Sequence, residues 1–497
     1  MSPLIPTSES TAILPLPAEY QGHSKPITVI GTEAIRATFD ERTLQQAINS
    51  RCAPGISDFV LNPDAHVGYG APVGCAMSSS THIYPGPVGV DIKCSMSLLQ
   101  LDLPAEAIAD KSVRRALLEA IEERTPTGRA GQRQAPKSRR VHEQIGRVLV
   151  CEGATKENLE MLGIPRHWRH ACEDSAHGGH DKTCASLYAR LDFLRQSGQF
   201  DSFANKIEQL GSYGGGNHFG ECEVVRFEES FEARQTAQSF GLKDGHVAFL
   251  SHCGSRGFGH HLAMGQFKSL LAFFEKWQIP LPGNDRELVY APLGTPEGDA
   301  YINDMSLGAN YATINHLLIN ALVLEAFQQV IPGCKGDLVY FISHNIAREE
   351  IIPGVGKQWV MRKGATRAFP AGHPELEGTR YAKTGHPILL PGSPTAGSRV
   401  MVACEGASQS MYSVNHGAGR RLGRKNAIRT LDQAQVNTDF DAADILFNGR
   451  NYPLDESPAA YKDFPEVIRS VETAGLARSV ARLEAKFVLK DGDKADD

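Results

Sequence analysis

The stretch Val247-Ala-Phe-Leu-Ser-His252-Cys-Gly-Ser-Arg256 contains the pattern that decides the fold class. A short apolar run, typical of a buried strand, ends at a histidine and is followed by small residues. A second apolar run, Leu338–Ile342, ends in a similar way at His344. Ala312–Ile331 and Pro465–Leu483 instead repeat apolar residues at spacings of three and four, which predicts helices. Strands and helices are interspersed without a regular βαβ order, so the sequence predicts an α+β fold with mixed or antiparallel sheets packed with helices.

The chain is long enough to bury a large core, because it has 497 residues of which 41% are hydrophobic. Residues 1–25 are rich in Pro, Ser and Thr, and we expect a flexible N-terminal leader there. Residues 26–497 are expected to form one large domain with a variable insertion at about 124–185. Within this domain, residues 124–140 are expected to be an exposed loop, and the tail 491–497 is expected to fray.

The composition favours an enzyme that works in a reducing compartment. The sequence shows no secretory signal and no apolar run long enough to span a membrane, so we expect a cytoplasmic protein without a membrane partner. The ten cysteines are then reduced thiols, some of them available as metal ligands. The net charge of −6 gives no support to nucleic-acid binding, although a local basic patch is sufficient for it. Two basic stretches could form such a patch, namely Arg129, Arg133, Lys137, Arg139 and Arg140, and then Arg420, Arg421, Arg424, Lys425 and Arg429.

Several short segments share the design of the opening stretch, in which an apolar run ends at a polar residue beside small residues. They are Leu61-Asn-Pro-Asp64-Ala-His66, Val88-Gly-Val-Asp91-Ile-Lys-Cys94, Gly214-Gly-Gly-Asn217-His218, Phe249-Leu-Ser-His252-Cys-Gly-Ser-Arg256, Phe341-Ile-Ser-His344-Asn345 and Ser413-Val-Asn-His416-Gly-Ala-Gly-Arg420. A polar ligand at a strand end is held by a rigid scaffold and still faces a cleft. The flanking glycines let backbone N–H groups approach an anion closely. A lone histidine beside a strand is usually structural, but this many in one context predict a common site.

The residue types in these segments suit a divalent cation. Carboxylate, thiolate and imidazole together favour a borderline ion such as Mn²⁺, Zn²⁺ or Co²⁺. Asp91 and Cys94 are close enough in sequence for one turn to direct both at the same centre. The candidates are scattered along the chain, which favours an open catalytic site over a closed structural zinc site. The chain lacks a phosphate loop, a His-Glu-x-x-His helix and a Lys-x-Asp-Gly motif, so a histidine is the candidate nucleophile if a nucleotide is activated covalently.

Taken in order, these segments resemble the RtcB family of GTP-dependent RNA ligases. The resemblance covers about Asp58 to Lys490. The motifs that carry it are Pro-Asp-Ala-His, Val-Gly-Val-Asp-Ile-Lys-Cys, Gly-Gly-Gly-Asn-His-Phe, His-Cys-Gly-Ser-Arg-Gly, His-Asn, Arg-Lys-Gly-Ala-Thr-Arg-Ala, Pro-Gly-Ser and His-Gly-Ala-Gly-Arg, followed by Ala460-Tyr461-Lys462 and Lys490. By this resemblance we expect a single RtcB-like catalytic domain built around a central metal cleft.

The resemblance also implies roles for individual residues. His416, which opens His-Gly-Ala-Gly-Arg, matches the nucleophile that takes GMP from GTP. The ligands of two Mn²⁺ ions would be Asp91, Cys94, His218, His252 and His344, with Cys94 shared. The nucleotide would be bound by Asn217, His218, Phe219, Gly220, Glu221, His344, Asn345, Pro391, Gly392, Ser393, Pro394, Ser398, Gly417, Ala418, Gly419, Tyr461 and Lys490. Arg256 and Arg420 would bind RNA phosphates, because a guanidinium fork matches phosphate oxygens.

The reaction that the family implies joins a 2′,3′-cyclic phosphate or 3′-phosphate end of RNA to a 5′-hydroxyl end through a guanylyl-histidine intermediate. Such a ligase serves tRNA splicing or RNA repair. We expect a monomer, and an activating protein partner is an open option. Two other functions remain open at this point. A metallophosphoesterase would open cyclic phosphates without needing His416, and a non-catalytic RNA-binding relative is disfavoured because the ligand set is intact.

A few positions depart from the usual pattern of the family. Pro394 removes a backbone N–H near the expected nucleotide loop. Lys93 stands where a small or uncharged residue is usual, and its charge is expected to face either RNA or solvent. Cys253 and Tyr213 replace a usual Ser and a usual Leu. None of these changes removes a ligand or the nucleophile, so activity is expected to persist.

One group of His and Cys residues lies outside the family pattern. Its members are Cys151, His167, His170, Cys172, His177, His180 and Cys184. A structural zinc site needs four convergent ligands, and these spacings are irregular. The sequence therefore favours a polar insertion loop over a zinc site.

Overall fold

The computed structural model describes residues 4–20, 25–128 and 140–491. The strands in these ranges are β1 (Ile5–Pro6), β2 (Thr11–Leu14), β3 (Ile27–Ile30), β4 (Ile56–His66), β5 (Val73–Ser79), β6 (His82–Ile83), β7 (Ser95–Pro104), β8 (Phe219–Phe227), β9 (His246–Cys253), β10 (Ala291–Pro292), β11 (Gly336–Ser343), β12 (Asn345–Ile352), β13 (Gly356–Lys363), β14 (Ala365–Arg367), β15 (Pro387–Pro391), β16 (Ser398–Ala403), β17 (Ser413–Asn415), β18 (Leu446–Phe447) and β19 (Ala477–Lys490). The α-helices are α1 (Glu33–Arg36), α2 (Glu41–Arg51), α3 (Lys111–Arg124), α4 (Glu143–Glu152), α5 (Lys156–Met161), α6 (Cys184–Gln196), α7 (Phe203–Ile207), α8 (Phe231–Ser239), α9 (Arg256–Trp277), α10 (Pro296–Val330), α11 (Arg424–Thr430), α12 (Gln433–Ala442) and α13 (Phe464–Thr473).

Two large sheets form the framework. The first has seven strands in the order β1-β2-β3-β4-β5-β13-β12. The second has eight, of which seven follow the order β11-β7-β9-β8-β19-β16-β15 and the eighth, β18, pairs with β19. Along the seven-strand order of the second sheet all neighbours are antiparallel, and only β18 runs parallel to its partner β19. The first sheet includes the parallel pair β3 and β4. The short ladder of β14 and β17 contacts β4 and β5 of the first sheet and, through β14, β11 of the second. These mixed sheets, packed with helices, confirm the predicted α+β fold.

Helix α10 is the long central helix, and most of its residues are buried. The Thr295 side chain caps it by accepting a hydrogen bond from the Gly298 N–H at 3.2 Å. The helix packs on α3, α4, α6 and α9 and on strands β7 and β9 of the second sheet. This burial confirms the predicted helix Ala312–Ile331, which in the structure begins earlier, at Pro296. None of the helices in the described ranges is both long and apolar enough to cross a membrane.

The predicted flexible leader is wrong for the described residues 4–20. Strand β2 pairs with β3, and β1 pairs with β2, so this segment completes one edge of the seven-stranded sheet. Ala12 and Leu14 alternate inward along β2 and are fully buried. The many Pro, Ser and Thr residues around β2 led to the prediction of a flexible leader. Only two residues of the strand make core contacts, so the overall composition of the segment does not reveal the alternating pattern.

The insertion is also better ordered than the sequence suggests. Helices α4, α5 and α6 and the 3₁₀ turn Arg166–Ala171 pack into the core beside α10, with Leu149, Cys151 and Trp168 buried. The expected polar loop is therefore wrong for residues 151–171, whereas residues 173–183 lie outside helices and strands, as a loop would. Residues 125–128 are buried too, and the rest of the expected loop 124–140 lies mostly outside the described residues.

The C-terminal segment divides differently from the prediction. The two predicted strands are confirmed within β9 and β11. The predicted helix Pro465–Leu483 is wrong beyond Thr473, because α13 ends there and β19 begins at Ala477. Gly475 adopts φ +70°, which reverses the chain and starts the strand that pairs with β8 and β16. Of the tail expected to fray, residues 492–497 lie outside the described ranges.

Candidate metal and nucleotide site

Four neighbouring strands bring the candidate ligands together. Asp91 and Cys94 lie in the turn before β7, His218 directly precedes β8, and His252 lies near the end of β9. His344 separates β11 from β12. Strands β11, β7, β9 and β8 are adjacent in that order, and their register pairs Ser343 with Ser95, Met96 with His252, and His252 with Phe219. Ligands scattered along the sequence therefore meet at one edge of the sheet.

The ligand atoms form two overlapping groups that share Cys94. One group contains Cys94, His252 and His344, and the other contains Asp91, Cys94 and His218; within each, the ligand atoms all lie within 4.8 Å of one another. The Cys94 Sγ is 3.1 Å from the His252 Nε2 and 3.5 Å from the His218 Nε2. The His218 Nε2 is 2.8 Å from the Asp91 Oδ2, and the His252 and His344 Nε2 atoms are 3.3 Å apart.

The orientation of these side chains fits divalent cations. The Nδ1–H groups of His218 and His252 donate to the carbonyl oxygens of Tyr213 and Asn217, at 2.9 and 3.1 Å, which leaves both Nε2 lone pairs directed at the centre. Burial lowers the pKa of His252 well below its usual value, and neighbouring imidazoles lower it further, so the ring is neutral as a metal ligand must be. Each group, with its imidazole and thiol donors, would hold one cation, and Cys94 would be shared.

Burial has the opposite effect on the pKa of the shared Cys94 thiol. It raises the pKa of Cys94 well above the usual value, and the adjacent Asp91 carboxylate raises it further. A divalent cation reverses this electrostatic preference, because a coordinating thiol is deprotonated by the charge of the ion. The donor set thus fits a bound cation better than it fits an empty, dry interior.

His416 lies beside the metal groups with its tautomer fixed. It follows β17, and its Nδ1 is 2.8 Å from the Asp64 Oδ2 and 2.9 Å from the Gly364 carbonyl oxygen. Since a carbonyl can only accept, Nδ1 carries the proton and Nε2 keeps a free lone pair. The ring centroid lies 4.4 Å from that of His344. Asp64 is fully buried at the end of β4 and is a residue to which the sequence assigned no role, although it lies in the quoted Pro-Asp-Ala-His motif.

The loop after His416 passes unusually close to Asp64. Gly419 adopts φ +75°, and a Cβ at this position would lie 2.5 Å from the Asp64 carbonyl oxygen. Only glycine permits this approach. The His-Gly-Ala-Gly-Arg motif therefore has a steric basis as well as a chemical one.

A cavity of about 350 Å³ opens in front of His416, and most of the predicted nucleotide residues line it. Those that do are Asn217, Phe219, Glu221, His344, Asn345, Pro391, Gly392, Pro394, Gly417, Ala418, Gly419, Tyr461 and Lys490. Four predicted members lie outside its lining. His218 faces Asp91, Gly220 packs against Phe249, Ser393 lines a different cavity, and Ser398 is buried beside Glu223.

The two predicted RNA contacts occupy different surroundings. Arg420 lines the cavity and places its guanidinium 5.1 Å from the centre of the Tyr461 ring. Arg256 lies outside the lining, where its guanidinium packs against Gly214 and its Nε donates to the Ser212 hydroxyl at 3.2 Å. The structure therefore brings only Arg420 to the nucleotide cavity.

The cavity also has lining residues that the sequence analysis missed. They are His66, Val73, Lys363, Gly364, Arg424, Phe440, Phe447, Tyr452, Pro453, Glu456 and Val488. Glu456 is a centre of interactions, because its carboxylate lies 3.4 Å from Lys490 and 3.6 Å from Arg420 and accepts from the Tyr461 hydroxyl. His66, Lys363 and Arg424 belong to stretches already quoted, whereas nothing local marks Phe440 or Glu456.

Lys93 contradicts both expectations for its side chain, since it faces neither RNA nor solvent. It is fully buried, with its Nζ 2.9 Å from the Asp174 carbonyl oxygen, 2.8 Å from the His177 Nε2 and 2.7 Å from the Thr313 hydroxyl. The ammonium thus ties the ligand turn 91–94 to the insertion and to α10.

The other His and Cys residues of the insertion do not gather around one point. His167 contacts Asp337, His177 contacts Lys93, and the His180 Nδ1 lies 3.2 Å from the Asn303 side chain. Among the described residues, three or more ligand atoms come within metal-binding range only in the two groups that share Cys94. The insertion contributes no such group there.

Comparison with known proteins agrees with this geometry. The family described as tRNA-splicing ligase RtcB matches residues 46–491. The tRNA-splicing ligase RtcB of Thermococcus kodakarensis is 33% identical over 465 residues, covering 90% of this chain and 91% of that protein. The same-named protein of Methanococcus maripaludis is 33% identical and covers 96% of this chain and 97% of its own length. The RNA-splicing ligase RtcB of Mycobacterium tuberculosis is 32% identical, covering 88% of this chain and 98% of that protein. The chain therefore belongs to the RtcB family of RNA ligases.

Proposed function

We propose that this protein joins RNA ends by transferring GMP from GTP through His416, with Mn²⁺ as the metal. The observation that carries the proposal is the fixed tautomer of His416 beside two groups of metal ligands, at the wall of a cavity large enough for a nucleotide. A neutral imidazole with a free Nε2 is a nucleophile that needs no base to activate it.

In the first step the His416 Nε2 attacks the α-phosphorus of GTP. The Nε2–P bond forms, the bond from the α-phosphorus to the bridging oxygen breaks, and pyrophosphate leaves. The ring becomes positively charged, and the buried Asp64 carboxylate at 2.8 Å stabilises that charge through the Nδ1 proton. Bound cations would supply neutralisation of the charge that develops on the phosphate oxygens.

The remaining cavity residues would bind and orient the nucleotide. The backbone N–H groups of Gly417–Gly419 lie beside His416 and suit the phosphates. Glu221 lines the cavity, and one of its carboxylate oxygens accepts no hydrogen bond from the described residues, so it would accept from the N–H groups of guanine. Tyr461 and Lys490, both held by Glu456, would close over the base.

GMP then passes to RNA. An oxygen of an RNA 3′-phosphate attacks the phosphorus held by His416, so that the Nε2–P bond breaks and the ring returns to neutrality. The 5′-hydroxyl oxygen of a second RNA end attacks the activated 3′-phosphate, loses its proton, and releases GMP as the 3′–5′ bond forms. A 2′,3′-cyclic end would first be opened by water to the 3′-phosphate. Relatives named tRNA-splicing ligases support RNA as the substrate, and we propose service in tRNA splicing or RNA repair.

Incubation with α-labelled GTP and Mn²⁺ tests the proposal. We expect an acid-labile protein adduct that is absent from His416→Ala. A matched control is His246→Ala, at the opposite end of the strand that carries His252, which should retain the adduct. Opening of cyclic phosphates without an adduct in the unaltered protein would instead indicate a metallophosphoesterase.

A further inference from the structure

The turn that carries two of the candidate metal ligands contains a residue that its backbone does not favour. The Cys94 N–H donates to the Asp91 carbonyl oxygen at 3.1 Å and closes the turn 91–94. Lys93 lies inside this turn with φ +55°, a conformation that glycine adopts without strain and other residues adopt rarely. A strained residue persists where the surrounding structure holds it in place, so the contacts of the Lys93 side chain must offset the strain.

The Lys93 ammonium uses all three of its N–H donors inside the protein. It donates to the Asp174 carbonyl oxygen at 2.9 Å, to the His177 Nε2 at 2.8 Å and to the Thr313 hydroxyl at 2.7 Å. The residue is 0% exposed. An ammonium has no fourth donor, so none remains for a nucleotide or an RNA phosphate. Lys93 therefore attaches the ligand turn to residues 172–177 and to α10.

Residues 172–177, the anchor segment, are themselves fixed at both ends. At one end, the Glu173 N–H donates to the Phe341 carbonyl oxygen of β11 at 3.1 Å. At the other end, the buried Asn310 side chain of α10 accepts from the His177 N–H at 2.8 Å and donates to the His177 carbonyl at 3.0 Å. The anchor segment has no helix or strand of its own, but these bonds tie it to two rigid elements. An attachment to it therefore restrains the ligand turn.

The anchor segment also holds the turn of a third ligand, His344. One oxygen of the buried Glu173 carboxylate accepts from the Ser343 N–H at 2.9 Å and from the Ser343 hydroxyl, and the other accepts from the Arg367 Nε at 3.0 Å. The His344 Nδ1 has no hydrogen-bond partner among the described residues, unlike the Nδ1 of the other two imidazole ligands. The direction of the His344 ring therefore depends on where its backbone is held.

Ion pairs fix the anchor segment further. Arg367 lies 2.9 Å from both the Glu173 and the Asp174 carboxylates, and Arg348 lies 3.1 Å from the Asp174 carboxylate. Charges that are buried in this way keep one arrangement, because a displaced charge loses its partner without regaining its hydration. The segment thus offers fixed contacts to two ligand turns at once.

We propose that Lys93 and Glu173 are positioning residues for the metal centre, which hold the turns of Cys94 and His344 in the arrangement that binds cations tightly. Neither side chain lines the nucleotide cavity, so both act through the ligands beside them. By this role the insertion, whose histidines and cysteines form no metal site of their own, controls the affinity of the catalytic one. The inference rests on the proposed function in taking Mn²⁺ as the metal.

Lys93→Met tests the attachment, because methionine keeps an unbranched stem at the same strained φ but has no N–H to donate. We titrate the metal-free full-length protein with Mn²⁺ in a calorimeter and expect the affinity to fall by about 10- to 100-fold, as when an outer partner of a metal ligand is removed. At a Mn²⁺ concentration that saturates the unaltered protein, electron paramagnetic resonance should show loss of the spin coupling between two ions that share Cys94. The control is Lys182→Met, at an exposed lysine of the same insertion that also has a positive φ, +65°. It should bind Mn²⁺ as the unaltered protein does.

Glu173→Gln tests the second ligand turn while Lys93 stays intact. The amide has nearly the same shape, but its NH₂ group must face either the Ser343 donors or the Arg367 guanidinium, so one of these contacts is lost. We expect Mn²⁺ affinity to fall about tenfold. Glu349→Gln, at a partly exposed carboxylate of β12 that pairs with surface lysines, is the control that should leave the affinity unchanged.

Urea unfolding of the metal-free variants separates positioning from a general contribution to stability. A residue with only a structural role would lower the free energy of unfolding and leave Mn²⁺ affinity and spin coupling as they are. That result for Lys93→Met would overturn the proposal. If Lys93→Met does not fold, Glu173→Gln decides in the same way, and an affinity equal to that of Glu349→Gln overturns it.

These outcomes are distinct from those of the proposed function. If the unaltered protein binds no Mn²⁺, both fail. If His416 takes no GMP but Mn²⁺ affinity depends on Lys93, the proposed function fails and this inference stands. If the adduct forms and Lys93→Met binds Mn²⁺ as tightly as Lys182→Met, only this inference is overturned.

Discussion

The site has a metal end, formed by the candidate metal ligands and His416, and a base end, formed by Glu456, Lys490 and Tyr461. The two ends bury their polar groups in different ways. At the metal end, backbone carbonyls fix His218 and His252, and the free lone pairs converge on one centre. At the base end, side chains hold one another, as Glu456 holds Lys490 and Tyr461. The metal end is therefore preorganised by the sheet itself, whereas the base end depends on mutual contacts of long side chains. Substitutions should abolish chemistry at the first end and adjust nucleotide binding at the second.

The largest expected effect comes from Asp64→Asn. The amide can present its NH₂ group to the His416 Nδ1, which favours the tautomer whose Nε2 carries the proton and cannot attack phosphorus. We expect adduct formation with labelled GTP to slow on the order of 10³-fold, while the fold persists. Asp58→Asn, on the same strand but paired with exposed Lys25, is the control. An adduct rate close to that of the control would mean that the tautomer is not what the metal end preorganises.

Cys94→Ser should weaken cation binding strongly. The serine hydroxyl cannot replace a thiolate shared between the two ligand groups, so we expect Mn²⁺ affinity to fall by at least about 100-fold in calorimetric titration. Cys404→Ser, at a half-buried cysteine that belongs to neither ligand group, should bind Mn²⁺ normally. Equal affinity in the two variants would show that Cys94 is not a ligand.

Glu456→Gln tests the base end and should act more mildly. Lys490, Arg420 and Tyr461 lose their common carboxylate, while His416 and the metal ligands keep all of their contacts. We expect KM for GTP to rise about tenfold with kcat changed little, which is loss of binding without loss of chemistry. The exposed Glu377→Gln is the control. A fall in kcat comparable to the rise in KM would contradict the separation of the two ends.

The smallest expected effect is on the free energy of unfolding of the protein without bound nucleotide. Because the pKa of Glu221 is raised to about 8 from the usual 4.5, the folded protein holds a proton that the unfolded chain releases. The contribution of Glu221 to the free energy of unfolding is complete at pH values below its pKa in the unfolded chain. It is lost as pH rises toward its pKa in the folded protein, by up to about 1.4 kcal/mol per pH unit. Glu221→Gln should flatten this decline in urea unfolding while it weakens GTP binding. Parallel pH profiles in the variant and the unaltered protein would refute it.

Sequence patterns identified the metal end more completely than the base end. Each candidate metal ligand lies at or beside the end of an apolar strand, before β7 or β8 or at the end of β9 or β11, and local periodicity is enough to find such positions. Asn217 and His416 were found in the same way, by glycine-rich neighbours. Glu456 and Phe440 belong to a short 3₁₀ turn and a polar helix that carry no local signal, and they reach the cavity only because of how those elements pack.

The sequence by itself determined the α+β class, the strands β9 and β11, the ligand types and the candidate nucleophile, because these depend on periodicity and side-chain chemistry within a few residues. Only the tertiary structure decided that Asp64 orients His416, that Lys93 is buried, and that residues 4–20 complete a sheet. The same holds for β19, whose apolar residues also fit a helix until β8 and β16 pair with them. Burial, strand pairing and the partner of a charged group are set by residues distant in the chain, and no local pattern contains them.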